Sequence, residues 1–190
     1  VNRITALEAD LARATRAERI NILAPVPGKD TVGIEIANKV KVTVPLRELL
    51  ESEEFHSEKW RIPLALGKDV YGKTIIGDLA AMPHLLIAGS TGAGKSVGMN
   101  GMLTSILYRA TPDDVRMILV DPKRIELGYY ESIPHLLTPV VASPKQAAAA
   151  LTNVVGEMER RYERMSLFRA RSLPELNRAL RARNEAPLPY

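Results

Sequence analysis

The chain of 190 residues contains no cysteine, which rules out disulfides, thiolate catalysis and cysteine-ligated metals and suits a reducing compartment, the cytoplasm by default. No apolar run approaches the roughly 20 residues that cross a bilayer. The N-terminus is amphipathic and lacks the apolar core of a signal peptide, so the sequence reads as soluble. Histidine is sparse: His56, His84 and His135 are scattered, with no spacing that lets two of them share a metal, and each is expected to be structural.

What is present is ordinary in bulk and uneven in place. With 46% apolar and 25% charged residues, the composition is that of a globular domain rather than a disordered or fibrous chain. The length suffices for one main core with a smaller module beside it. A net charge of +4 permits a nucleic-acid partner but does not demand one. Its distribution says more. From Glu157 to Glu185, Arg160, Arg161, Arg164, Arg169, Arg171, Arg178, Arg181 and Arg183 face Glu157, Glu159, Glu163, Glu175 and Glu185, with the excess of arginine in the later half.

Ile4, Leu7, Leu11 and Ala14 recur at helical spacing within Asn2 to Ala17. A cluster of Pro25, Pro27 and Gly28 separates Ile20 to Leu23 from the alternating Val32, Ile34 and Ile36, which predicts two half-buried strands and, with the helix, a small α+β module. Pro45 to Leu50 reads as a short helix and Phe55 to Ile62 as a polar connection. The domain boundary is expected near Trp60, giving part of a small α+β domain over 1–60 and the start of a larger one over 61–190. Thr74 to Ile76, followed by Gly77 and Asp78, reads as a hairpin arm or edge strand.

From His84 the pattern changes. An apolar run, Leu85 to Ala88, meets a glycine-rich loop, after which Met99, Met102, Leu103, Ile106 and Leu107 recur at helical spacing. Val115 to Val120 is a continuous apolar strand ending in Asp121-Pro122-Lys123, so strand, loop, helix and strand make a βαβ unit. Leu136 to Val141 predicts a further strand. Ser143 and Pro144 then cap a helix to about Phe168, and Ser172 caps a shorter one to about Arg183. Pro187 to Tyr190 reads as the approach to another strand. The expected class is α/β, a parallel sheet flanked by helices, preceded by part of the small α+β domain.

The loop Gly89, Ser90, Thr91, Gly92, Ala93, Gly94, Lys95 and Ser96 fits G-x-x-x-x-G-K-[ST] in full, between a predicted strand and a predicted helix, as the motif demands. Small glycines let backbone N–H groups converge on phosphate oxygens, and the helix N-terminus adds its positive dipole end. Lys95 is the expected catalytic charge on the β- and γ-phosphates, and Ser96 the expected Mg²⁺ ligand. ATP and Mg²⁺ are the ligands this loop calls for. Asp121 has the look of an acidic residue organising Mg²⁺, but it ends the strand directly after the P-loop helix. A strand beyond Tyr190 is the preferred place for that residue.

The string His84-Leu-Leu-Ile-Ala-Gly-Ser-Thr-Gly-Ala-Gly-Lys-Ser96 closely resembles the FtsK/SpoIIIE family of bacterial DNA translocases. Leu107-Tyr-Arg-Ala-Thr-Pro112, Asp121-Pro-Lys, Glu126-Leu, Ile133-Pro-His-Leu-Leu-Thr-Pro-Val-Val141 and Glu157-Met-Glu-Arg-Arg-Tyr162 resemble family signatures too. So do Arg3-Ile-Thr-Ala-Leu7, Pro25-Val-Pro-Gly-Lys29 and Leu64-Ala-Leu-Gly-Lys-Asp69 upstream. The resemblance implies a RecA-like P-loop ATPase preceded by a smaller α domain. It further implies a homohexameric ring that pumps double-stranded DNA during cell division or sporulation, on the cytoplasmic side of a bacterial inner-membrane protein at the division septum. Related alternatives are an ATPase of type VII-like protein export or of conjugative transfer, and from another class a nucleotide-dependent switch.

Two departures from the family pattern stand out. Arg124 occupies a position more often apolar after Asp-Pro-Lys. The family's Arg-Asn-Ile-x-Gly-Tyr-Asn pattern is replaced by Arg171-Ser-Leu-Pro-Glu-Leu-Asn177. That segment resembles a DNA-touching pore loop, so Arg171 and Asn177 carry over as expected DNA contacts, with Arg169 and Arg178 as neighbours. The bland alternative is a solvated helical face with paired charges.

Overall fold

A computed structural model describes residues 2–17 and 20–190. They fall into two compact units that divide between Val44 and Pro45. In the first, the amphipathic stretch forms two helices, α1 (Asn2–Thr5) and α2 (Glu8–Thr15), and not one. Helix α2 stops where Arg16 turns left-handed at φ 52° and its N–H returns to the Ala12 and Arg13 carbonyls. Strands β1 (Ile20–Leu23) and β2 (Gly33–Ile36) pair antiparallel, with Ile20 opposite Ile36 and Ile22 opposite Ile34. Across the same pair Asn21 Nδ2 donates to Glu35 Oε2 at 2.8 Å, while Ile34 and Ile36 of β2 stay exposed.

The second unit begins earlier than the boundary expected near Trp60. Helices α3 (Leu46–Leu50) and α4 (Glu53–His56) bury Leu49, Leu50 and Phe55 in one cluster with Ala65 of strand β3 (Pro63–Lys68). Phe55 is fully buried, so the segment that reads as a polar connection is anchored by one aromatic side chain. Ser52 caps α4 by accepting the Phe55 N–H. Strand β4 (Thr74–Asp78) pairs antiparallel with β3, with a bulge between Ala65 and Gly67.

Helix α5 (Lys95–Arg109) lies against β3 and carries Leu103 and Ile106 into the core. Ile106 joins Ile62, Leu64 and Val115; Leu103 joins Leu119 and Leu127. These are the helical-spacing positions expected from the sequence, one apolar stripe facing inward. The 115–120 and 136–141 segments run parallel, bridged at Met117–Leu136 and Val120–Val141. On the other edge of 115–120, the Tyr190 N–H donates to the Asp114 carbonyl and the Arg116 N–H to the Tyr190 carbonyl, both at 2.8 Å, the bonding of a parallel neighbour.

The parallel sheet is therefore present as bridges, not as a continuous ladder. Leu85 to Ala88, expected as a strand, has no regular secondary structure and no ladder partner among the described residues, and Leu86 is 90% exposed. The mixture of helix and sheet is that of an α/β unit. Local signals did better at helix ends: Ser143 caps α6 (Pro144–Leu167) and Ser172 caps α7 (Leu173–Ala182), each with Pro in the first turn. Among the described residues no helix is long and apolar enough to cross a membrane.

Candidate functional site

The glycine-rich loop is solvent-exposed from Gly89 to Lys95 and feeds directly into α5. Gly92 at φ 80° and Gly94 at φ 87° occupy the left-handed region, where a Cβ is strained. These two turns curl the loop over the helix N-terminus. Gly94 is the N-cap position with no side chain of its own to cap the helix, so the first N–H groups of α5 keep their hydrogen-bonding capacity for a ligand. Such a concavity of N–H groups suits an anion.

Lys95 folds back on the loop. Its Nζ donates to the carbonyls of Gly89 at 2.7 Å and Ser90 at 2.9 Å. Thr91 and Ala93 complete the rim, with the Ala93 N–H held by the Ser90 carbonyl at 3.1 Å. The Ser96 hydroxyl donates to Glu126 Oε1 at 2.6 Å. A hydroxyl beside a carboxylate is an all-oxygen donor set, the chemistry that a hard cation such as Mg²⁺ accepts. The sequence places Glu126 in a family signature and, with Asp121, among the reserve catalytic candidates, but no spacing rule shows a side chain crossing from position 126 to position 96.

Asp121 is buried, and its carboxylate is occupied by its own loop. Oδ2 accepts the N–H groups of Glu126 at 2.9 Å and Leu127 at 3.1 Å, and Oδ1 accepts that of Lys123 at 3.1 Å. These bonds, that from Leu127 foremost and that from Glu126 next, hold the carboxyl below its ordinary range. Arg124 sits on this loop, exposed and left-handed at φ 55°, its N–H on the Asp121 carbonyl. The departure at that position is therefore a surface one. The three histidines do not gather: His135 is buried with Nε2 against the Ala110 carbonyl at 2.8 Å, tying the end of α5 to the 135–141 segment.

The arginine-rich segment divides into paired and free charge. Arg160 and Arg161 both hold Glu157, and Arg164 holds Glu185. Arg169, Arg171 and Arg178 are exposed, and no ion pair takes them up among the described residues. The backbone of Arg171 is fixed, since its N–H donates to Glu175 Oε2 at 2.8 Å. Asn177 differs from expectation. It is buried, and its amide is fully used: Nδ2 donates to the Leu188 carbonyl and Oδ1 accepts the Leu188 N–H, both at 2.8 Å. An amide so engaged fastens the 188–190 segment to α7 and presents nothing to a polymer.

The FtsK/SpoIIIE family matches residues 45–188, and the FtsK alpha domain matches residues 1–38. The protein named DNA translocase FtsK from Haemophilus influenzae is 52% identical over 176 residues, 93% of this chain and 33% of that protein. Its namesakes from Pseudomonas aeruginosa and Mycobacterium tuberculosis are 50% and 49% identical, over 100% and 96% of this chain and 23% and 22% of their own lengths. The chain thus spans a third or less of these relatives. A solved conjugation coupling protein, the TcpA monomer of pCW3 with ATPγS, superposes with a TM-score of 0.60 at 20% identity, covering 94% of this chain and 48% of that one. At that identity the likeness is one of fold. The chain belongs to the FtsK/SpoIIIE family.

Proposed function

We propose that this chain is the nucleotide-binding part of an ATP-driven motor that moves along double-stranded DNA, at work in chromosome segregation during cell division or sporulation. The observation that carries the reading is the loop of Gly92 and Gly94 curled over the start of α5, in a chain about half identical to relatives named DNA translocase FtsK. In this reading the unit from Pro45 onward is a RecA-like core and six copies close into a ring around DNA. A membrane anchor in the parent protein keeps the motor on the cytoplasmic face of the inner membrane at the septum.

The chemistry rests on position and charge. Backbone N–H groups from Gly89 to Ser96 cradle the phosphates, and Lys95 leaves the Gly89 and Ser90 carbonyls to meet the β- and γ-phosphates. Ser96 contributes one oxygen to Mg²⁺, which neutralises phosphate charge when bound. The exposed guanidinium groups of Arg169, Arg171 and Arg178 grip DNA phosphates without reading sequence. The test is steady-state ATP turnover by the longer parent protein with and without double-stranded DNA. Stimulation by DNA of any sequence supports the motor; turnover indifferent to DNA overturns it, and stimulation by polypeptide points to export instead.

A further inference from the structure

Resting on the nucleotide reading of the P-loop, we propose that Glu126 is a positioning residue for Ser96, taking the hydroxyl proton so that the oxygen's lone pairs are left for a divalent cation. The contact is short, Ser96 Oγ to Glu126 Oε1 at 2.6 Å, in the range of a hydroxyl donating to an ionised carboxylate. A hydroxyl free to rotate must be ordered before its lone pairs face a cation, and that ordering has an entropic cost. Once the proton is committed to Glu126, the remaining valence of the oxygen is of acceptor character. Orientation of a metal-binding group by an outer partner commonly changes metal affinity tenfold to hundredfold.

Glu126 is held in place from behind. Asp121 accepts its backbone N–H and that of Leu127 on one oxygen. Leu127 is buried with Leu103 of α5 and Leu119. One helical turn beyond Ser96, Asn100 Oδ1 accepts the Tyr130 hydroxyl at 2.9 Å. The 121–130 loop is thus fastened to one face of α5 at two points four residues apart, Ser96 and Asn100, which lie above one another on a helix. Buried Asp121, the Leu127 anchor and the Tyr130–Asn100 bond hold the loop backbone from which the exposed Glu126 side chain reaches Ser96.

The assignment separates binding of the nucleotide from binding of the cation that accompanies it. The experiment is calorimetric titration of the protein with ADP, in EDTA and over a series of MgCl₂ concentrations, for wild type, Glu126→Ala and Glu126→Gln. Expected is that Mg²⁺ tightens ADP binding in wild type and that Glu126→Ala needs about tenfold more Mg²⁺ for the same tightening. ADP affinity in EDTA should stay within about twofold of wild type, which also reports an intact fold. Glu126→Gln keeps an oxygen that accepts the Ser96 proton and should recover most of the Mg²⁺ response. A Mg²⁺ response in Glu126→Ala equal to wild type overturns the inference alone. Equal loss in Glu126→Gln and Glu126→Ala also overturns it, because negative charge and not hydroxyl orientation is then what matters. Loss of EDTA binding in both variants overturns it in favour of a purely structural loop. A wild type that binds no ADP at any Mg²⁺ concentration overturns the nucleotide reading itself, and this inference with it.

Discussion

The Ser105 hydroxyl accepts the backbone N–H of Ala65 at 3.1 Å and donates to the Gly101 carbonyl one turn back at 2.8 Å. Ser105 is fully buried and Ala65 nearly so. The Leu79 N–H bonds the Ile62 carbonyl, so alternation along β3 turns the Ala65 N–H away from β4, and a helix side chain satisfies it. The P-loop helix is thereby pinned to β3 by a polar bond inside an aliphatic interface. Ser105→Ala leaves the Ala65 N–H buried without a partner and should destabilise the protein by about 1–3 kcal/mol. Urea denaturation measures it; an unchanged midpoint at unchanged slope would show that the bond contributes nothing net.

Lys95→Ala should leave stability alone and weaken nucleotide binding. The Lys95 side chain is exposed, and among the described residues its hydrogen bonds go to the Gly89 and Ser90 carbonyls, so its truncation disturbs no core packing. Removing one charged hydrogen-bonding group from a phosphate site costs about 1.5–3 kcal/mol, roughly tenfold to hundredfold in affinity. Calorimetry with ATP and Mg²⁺ gives the answer, and equal affinity in the variant would remove Lys95 from the site.

What was legible in the sequence was what local chemistry decides. Ser143 before Pro144, and Ser172 before Leu173-Pro174-Glu175, fixed the starts of α6 and α7 because an N-cap acts within one turn. The loop glycines needed only their own backbone. Leu85 to Ala88 reads as a strand but shows no ladder, because a strand is completed by a neighbour that its own residues do not specify. The junction at Val44 was hidden by Phe55, a single apolar residue in a charged stretch that nonetheless anchors a cluster. Asn177 and Glu126 were hidden for one reason: their partners, Leu188 and Ser96, are brought to them by tertiary packing.

Acid should loosen the protein in a defined order of cause. Asp121 is held down by N–H groups of its loop, Asp114 by the Thr111 hydroxyl and N–H, and Glu157 by Arg161 and then Arg160. Each has a folded-state value below its unfolded one, about 3.9 for Asp and 4.3 for Glu. The stability they contribute is fully present above those values and is lost as pH falls through them toward the lower folded values. Urea midpoints should be flat above about pH 5 and decline below about pH 4. Asp114→Asn should decline less steeply on the acid side. A midpoint that rises on acidification would reverse the sign and refute the argument.

Contact with DNA is predicted for the three exposed arginines and denied to their buried neighbour. Arg171→Ala, with Arg169→Ala and Arg178→Ala in smaller measure, should weaken binding of double-stranded DNA about equally for all sequences, because phosphates carry no sequence information. Removing one phosphate-binding guanidinium should also flatten the dependence of log affinity on log salt by about one unit, since one fewer counterion is released. In the longer parent protein, ATP turnover without DNA should persist while its stimulation by DNA falls. The backbone of Arg171 is set by Glu175 and the cap of α7 by Ser172, so the side chain can be cut back without unravelling the helix. Asn177→Ala separates DNA binding from fold. It strips the Leu188 N–H and carbonyl of their partners and should destabilise by about 1–3 kcal/mol, yet leave the salt slope of the folded protein as in wild type. If Arg171→Ala leaves both affinity and slope untouched while Asn177→Ala alters the slope, then the buried amide and not the guanidinium reaches the polymer, and the segment must open before it binds.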